Sequence, residues 1–234
     1  GIPGELFQDE WKDFGHNRTR AIEHAFNKSD YLFIFDADDL IFGNIPIPSI
    51  DTFNKDIYRL PFENPPSYHR PILVSNRMKW KYVGVLHEYL VNIDPIKSDE
   101  YLLGNFHIHS RRLGDRSKNP NKYLDDAIVL EMGYHDEVSD IGLKNRYSYY
   151  CAQSYHDAGK FEKAIEWYEN TLNLDFSPQY KYCACIKAGD CYNVLKKSSD
   201  AIDSWSKAYT YDKERLEGIA KLMEYYYYKG AHFM

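Results

Sequence analysis

The sequence predicts an α/β domain over residues 1–115, followed by an all-α domain over residues 116–234. Three observations carry this. A continuous apolar run, Tyr31-Leu32-Phe33-Ile34-Phe35, follows a helix-like stretch and stops at an acidic turn. Short strand-like segments broken by prolines continue to about residue 110. From about residue 120 helical periodicity takes over, and a set of small and aromatic residues recurs at an offset of 37 residues.

The 234 residues are 44% hydrophobic and 16% aromatic, with a formal net charge of −6. That apolar fraction suits a globular chain and excludes general disorder. The acidic balance argues against nucleic acid as a partner. No apolar run approaches the ~18 residues of a membrane span. Cys151, Cys183, Cys185 and Cys191 contain no Cys-x-x-Cys pair and are expected to be free, mostly buried thiols. Tyrosine is abundant, 22 in all, and many lie in the second half. No signal-peptide pattern follows Gly1 and no initiator Met precedes it, so the natural N-terminus is expected upstream and the location is expected to be cytoplasmic.

Taken in order, residues 14–27 read as a helix, with Phe14, Ala21, Ile22, Ala25 and Phe26 on an apolar stripe. Asn27-Lys28-Ser29-Asp30 ends it. Residues 31–35 read as a strand buried on both faces, as in a parallel sheet. Further strands are expected at 57–61, 71–75, 81–85, 89–93 and 105–109, with Pro46, Pro48, Pro61, Pro65, Pro66 and Pro71 marking loops. The polar stretch from Arg111 to Asn121 is the expected boundary, and residues 123–132 read as the first helix beyond it. Ala152, Tyr155, Gly159, Ala164 and Tyr168 then recur as Gly189, Tyr192, Lys196, Ala201 and Trp205. Tyr226 and Gly230 begin a partial third copy. This spacing is the tetratricopeptide pattern, in which small residues allow close helix approach and aromatics fill the gaps between stacked pairs.

Asp36-x-Asp38-Asp39 sits where ligands bind in open α/β sheets, at the carboxyl end of a strand. Three adjacent carboxylates repel one another, and a hard divalent ion such as Mn²⁺ or Mg²⁺ would relieve that while also binding substrate phosphates. A solvated or helix-capping turn is the alternative reading of the same residues. His107 and His109 alternate on a short strand, so both rings should face one side, and either could complete an oxygen-rich metal shell. His87 and Glu88 follow another strand-like run, and Glu88 suits a general base.

These residues resemble a family-2 glycosyltransferase of GT-A (Rossmann-like) fold, in the subgroup that carries tetratricopeptide-like helices behind the transferase domain. The matching stretches are Trp11-Lys12-Asp13-Phe14-Gly15-His16-Asn17-Arg18, Tyr31 to Asp39, Arg70-Pro71-Ile72-Leu73-Val74-Ser75-Asn76, Tyr82-Val83-Gly84-Val85-Leu86-His87-Glu88, His107-Ile108-His109, and the helical segment from Arg146 to Gly159. The resemblance implies that Asp38 binds the metal, that Asp36 binds it through water or touches the ribose, and that His109 completes the shell. It implies that Glu88 is the catalytic carboxylate. Asn17, Arg18, Trp11 and Asp39 would lie near the donor, and Arg18 could pair with its diphosphate. His87, His107 and Arg70 are further candidates. The family's fold opens with strands that hold the nucleotide base, so the resemblance also implies that the α/β domain is incomplete at its N-terminus by about 60–80 residues.

The implied reaction is a metal-dependent, inverting sugar transfer from a nucleotide-sugar, most readily a UDP-sugar, to a protein or glycan acceptor. The helical repeats are expected to present that acceptor or to pair two copies into a homodimer. Two competing readings are a non-catalytic helical-repeat interaction protein with a remnant transferase domain, and another metal-dependent phosphoryl-transfer enzyme.

Overall fold

The computed structural model describes residues 4–47, 49, 53–63, 68–111, 113–136 and 140–231. Pro48, Pro65 and Pro66, three of the prolines expected to mark loops, lie outside them. The chain divides into two compact units, Gly1–Asn119 and Pro120–Met234.

The first unit is a mixed sheet with one long helix, α1 (Phe14–Ala25). Asp13 caps α1 by accepting a hydrogen bond from the His16 amide at 2.7 Å, which satisfies one of the free N–H groups of the first turn. Asn27 follows the helix at φ +59°, a left-handed position that Asn tolerates. The strands are β1 (Tyr31–Phe33), β2 (Asp39–Gly43), β3 (Ile57–Phe62), β4 (Tyr68–Ser75), β5 (Trp80–Val83), β6 (Tyr89–Asn92), β7 (Asp99–Tyr101) and β8 (Phe106–Ser110). Their order is β1-β4-β3-β8-β2, with β7 also paired to β3, while β5 and β6 form a separate hairpin. Strands β2 and β7 were not among the expected ones: β7 (Asp99-Glu100-Tyr101) carries no apolar pattern, and the apolar Leu40-Ile41-Phe42 of β2 is short and follows directly on the acidic turn.

The apolar run at 31–35 does not form a strand buried on both faces. Strand β1 pairs antiparallel with β4 alone and ends the described sheet, leaving Phe33 42% and Phe35 36% exposed. An apolar run reports only a tendency to be covered; the neighbouring elements decide whether both faces are. Most pairings are antiparallel, and β3 alone makes parallel ones, to β7 and β8. The β3–β4 ladder shifts register next to Pro71, which has no N–H to donate. Tyr58, Leu60, Phe62, Ile72, Leu73, Leu102, Phe106 and Ile108 form one core cluster. Ile22, Ile57, Val74 and Trp80 form a second, in which α1 and the hairpin meet the sheet.

The second unit is all helix: α2 (Lys122–His135), α3 (Ile141–Asp157), α4 (Phe161–Asn173), α5 (Pro178–Val194), α6 (Ser198–Tyr211) and α7 (Glu217–Ala231). Each packs chiefly on its neighbours in sequence. The recurring residues occupy matching places. Gly159 (φ +70°) ends the α3–α4 turn and Lys196 (φ +60°) ends the α5–α6 turn. The same hydrogen bond closes both, from Lys160 N to Tyr155 O at 2.8 Å and from Lys197 N to Tyr192 O at 2.9 Å. Tyr155 donates its hydroxyl to Glu131 on the preceding helix, and Tyr192 donates to Glu169 at 2.6 Å. Ala164, Tyr168, Ala201 and Trp205 are buried. A Cβ on Gly189 would lie 2.5 Å from the Trp205 ring, so the smaller residue of the second copy goes with the larger aromatic. All four cysteines are free thiols; Cys151, Cys185 and Cys191 are buried and Cys183 is half-buried. Among the described residues, no helix is long and apolar enough to cross a membrane.

Candidate active site

The acidic segment leaves β1 and turns back at once: the Asp39 amide donates to the Asp36 carbonyl at 3.0 Å, closing the turn Asp36-Ala37-Asp38-Asp39. Its three carboxylates have different partners. Asp36 accepts from the Arg18 guanidinium at 2.6 Å. Asp38 accepts from the Leu113 amide at 2.6 Å, and its carbonyl accepts from Arg111 Nε at 2.7 Å. Asp39 opens β2 opposite Ser110 and is buried, and its Oδ1 has no hydrogen-bond partner. Desolvation raises its pKa, reinforced by the charges of Asp36 and Asp38 and partly offset by the Ser110 hydrogen bond and Arg70.

Arg18 is the centre of the site. Its side chain leaves the second turn of α1, and its Nη1 reaches Glu88 Oε1 at 3.2 Å while Nη2 holds Asp36. The guanidinium lies 4.9 Å from the centre of the Tyr82 ring. Burial disfavours the charge on Arg18, but Tyr82, Asp36 and Glu88 together hold its pKa above the ordinary guanidinium value. Tyr82 is raised by desolvation, against the pull of Arg18 and Arg70.

Glu88 ends the β5–β6 turn, which two close contacts fix against α1. Thr19 Oγ1 donates to the Gly15 carbonyl and accepts from the Tyr82 amide at 2.8 Å. Gly15 packs on the carbonyl of Gly84, where a Cβ would come within 2.5 Å of the oxygen. Gly84 (φ +112°) and His87 (φ +53°) both take left-handed backbone in that turn. For His87 this costs about 1–2 kcal/mol, and it sets the direction from which Glu88 enters. The Glu88 side chain is only 11% exposed.

The other candidates fall in separate places. Asn17 holds the preceding loop on the helix, accepting from the Lys12 amide and donating to the Glu10 carbonyl, both at 2.9 Å. Trp11 is 60% exposed and meets Phe14 edge-on. Arg70 lies over the Phe62 ring. His107 and His109 both contact the Phe42 ring, so they share a face; His107 also pairs with Glu63 at 2.6 Å. Among the described residues no three His, Cys, Asp or Glu side chains gather closely enough to hold a metal ion, so His109 does not join Asp36 and Asp38 in a three-residue shell. A hard cation shared with a diphosphate needs only one or two carboxylates, because phosphate and water oxygens supply the rest. The turn suits that kind of ion: it offers carboxylates alone, one with a buried oxygen that has no partner.

A groove of about 370 Å³ runs beside α1, lined by Phe14, Arg18, Leu32, Phe33, Phe35 and Tyr82, with Asp36 also on its wall. Tyr82 and Thr19 were not singled out from the sequence, although both lie next to residues that were. Their signal was position: Thr19 follows Arg18, and Tyr82 sits on the strand leading to Glu88. No known protein family matches the chain, and no curated protein matches it in sequence.

Proposed function

We propose that the first unit belongs to a metal-dependent glycosyltransferase of GT-A type, taking a sugar from a nucleotide-sugar such as a UDP-sugar to a protein or glycan acceptor. One observation supports this above the others: Arg18 draws Asp36 and Glu88, from a strand end and a hairpin turn far apart in sequence, onto one guanidinium beside a groove. In this reading Glu88 accepts the proton of the attacking acceptor group, and its low exposure keeps competing water away. Arg18 orients Glu88 through the hydrogen bond from its Nη1 at 3.2 Å. Asp38 and Asp36 would hold Mn²⁺ or Mg²⁺, which when bound supplies neutralising charge to a leaving diphosphate. Asp39 lends negative charge to the same turn. The second unit, read as tetratricopeptide-like, presents the acceptor or pairs two copies.

The test is a thermal-shift screen of UDP-, GDP- and dTDP-sugars with and without Mn²⁺, followed by a hydrolysis assay. A nucleotide-sugar that raises the midpoint only with Mn²⁺, and is then turned over, supports the reading. No shift and no turnover with any donor sinks it.

One observation favours a second reading, that of a helical-repeat interaction protein. Helix α7 exposes Met223 (69%), Tyr226 (56%) and Tyr227 (74%), and large apolar and aromatic side chains of this kind suit recognition of a partner. Partner binding by the protein without any nucleotide-sugar turnover would favour it.

A further inference from the structure

We infer that Arg18 is an exchangeable latch: an anionic diphosphate entering the groove takes its guanidinium from Glu88, so that ligand binding and release of the Glu88 carboxylate are one event. This rests on the glycosyltransferase reading and adds to it the order in which the site is assembled.

Three features carry it. First, Arg18 already has two carboxylate partners on two different elements, at 2.6 and 3.2 Å, so both of its Nη groups are engaged. The longer contact, to Glu88, is the one more easily given up. Second, Arg18 lines the groove together with Phe14, Phe33, Phe35 and Tyr82. It is the only cation among the described residues that line the groove, with the Arg116 guanidinium on the Phe14 ring as the next nearby positive group. A guanidinium binds phosphate oxygens through the same planar fork with which it binds carboxylates. Third, the turns that carry Glu88 and Asp36 are anchored independently of Arg18. The Glu88 turn is fixed by Thr19 against Tyr82 and by Gly15 against Gly84, and Asp36 by the turn hydrogen bond from Asp39. Movement of the Arg18 side chain therefore leaves the backbone that carries both carboxylates in place. Without ligand, Glu88 is held by a cation; with a diphosphate bound, the cation serves the diphosphate and Glu88 faces the acceptor unpaired. No covalent bond is made or broken in this exchange.

Competition of this kind has a distinctive sign. A ligand that must first displace Glu88 binds with an apparent affinity lowered by the fraction of molecules in which Arg18 is available. Removing the Glu88 charge should strengthen binding, although Glu88 is itself part of the site. The probe is inorganic pyrophosphate, titrated calorimetrically into the whole chain in excess EDTA, which keeps metal-dependent binding out of the measurement. Glu88→Gln is expected to tighten pyrophosphate binding roughly three- to tenfold, and Arg18→Gln to abolish it. In the Arg18→Gln/Glu88→Gln double variant the gain is expected to vanish, whereas a general loss of repulsion would persist without Arg18. Should either variant fail to fold, the Arg18 guanidinium resonance of ¹⁵N-labelled wild-type protein gives the same answer, since it must shift on addition of pyrophosphate. Unchanged or weaker binding by Glu88→Gln, a gain that survives in the double variant, or an unmoved Arg18 resonance overturns the latch. Failure of the glycosyltransferase reading looks different: pyrophosphate still exchanges with Glu88, but no nucleotide-sugar is turned over with Mn²⁺.

Discussion

In the first unit, Arg18 joins α1 to a strand end and a hairpin turn through two carboxylates; in the second, Gly189 joins α5 to α6 by bringing backbone against the Trp205 ring. Both are close approaches between separate elements. They differ in what can take the place of the partner. A ligand anion can replace a carboxylate on a guanidinium, whereas nothing soluble replaces an indole packed on a glycine. Ion pairs thus mark where the molecule can respond to a ligand, and small-residue contacts mark where it serves as scaffold. The same division runs within the first unit, where Gly15 on Gly84 is scaffold for the Glu88 turn and Arg18 is the exchangeable part.

The largest expected effect separates the two kinds of contact most sharply. Glu88→Gln should lower turnover of the proposed reaction about 10²- to 10⁴-fold, as loss of a general base does, while leaving the far-ultraviolet spectrum unchanged. A folded variant with full turnover would remove Glu88 from the chemistry. Next come the glycines. Gly189→Ala and Gly15→Ala each place a methyl group 2.5 Å from an existing atom, and each should cost roughly 1–3 kcal/mol by denaturant unfolding. Only Gly15→Ala should also reduce turnover, because only it moves the Glu88 turn. Equal effects of the two on activity would break the contrast between site and scaffold.

Smaller effects test the two turns of the second unit. Lys196 takes the left-handed backbone that Gly159 takes in the matching turn. Lys196→Gly should therefore gain about 0.5–1 kcal/mol, the relief of strain less the added chain entropy of glycine. Gly159→Lys should lose a similar amount. Opposite shifts in the two midpoints confirm that the turns are equivalent, and shifts of the same sign refute it.

The smallest effect is electrostatic. Arg215 holds Glu217 in an ion pair, with help from a backbone amide and the Tyr182 hydroxyl, and lowers its pKa from 4.5 to about 2. A depressed carboxylate contributes stability that is present above about pH 4.5 and is lost as the pH falls through about 2. Because the Glu217 side chain is half exposed, the contribution should stay under about 1 kcal/mol. Wild type should be more stable than Glu217→Gln at pH 7, and the difference should close near pH 2. A difference unchanged with pH would assign the contribution to packing.

Much of this was legible in the chain. The apolar stripe of α1 is visible at Phe14, Ile22 and Ala25. The repeat was legible because packing of helix pairs imposes the same residues at the same spacing, from Ala152 and Tyr155 to Gly189 and Tyr192. Strand β7 was not legible, since its polar, exposed residues carry no period, and the apolar run of β2, Leu40-Ile41-Phe42, was too short to show one. Nor was the incomplete cover of β1, because Tyr31 to Phe35 would read the same with a neighbour on either side.

The sequence by itself determined most of the element types, the change from mixed sheet to helices, and the candidates for chemistry. Propensity, capping and periodicity act over a few residues and need nothing distant. Only the tertiary structure decided how those residues combine. It put Arg18 between Asp36 and Glu88, 18 and 70 residues away in the chain, and it gave Asn17 to the loop before α1 and the two histidines to Phe42. A spacing of that length contains no angle or distance. Those came from Gly15 on Gly84 and Thr19 on Tyr82, where the absence of one side chain and the reach of another set how closely α1 and the hairpin approach.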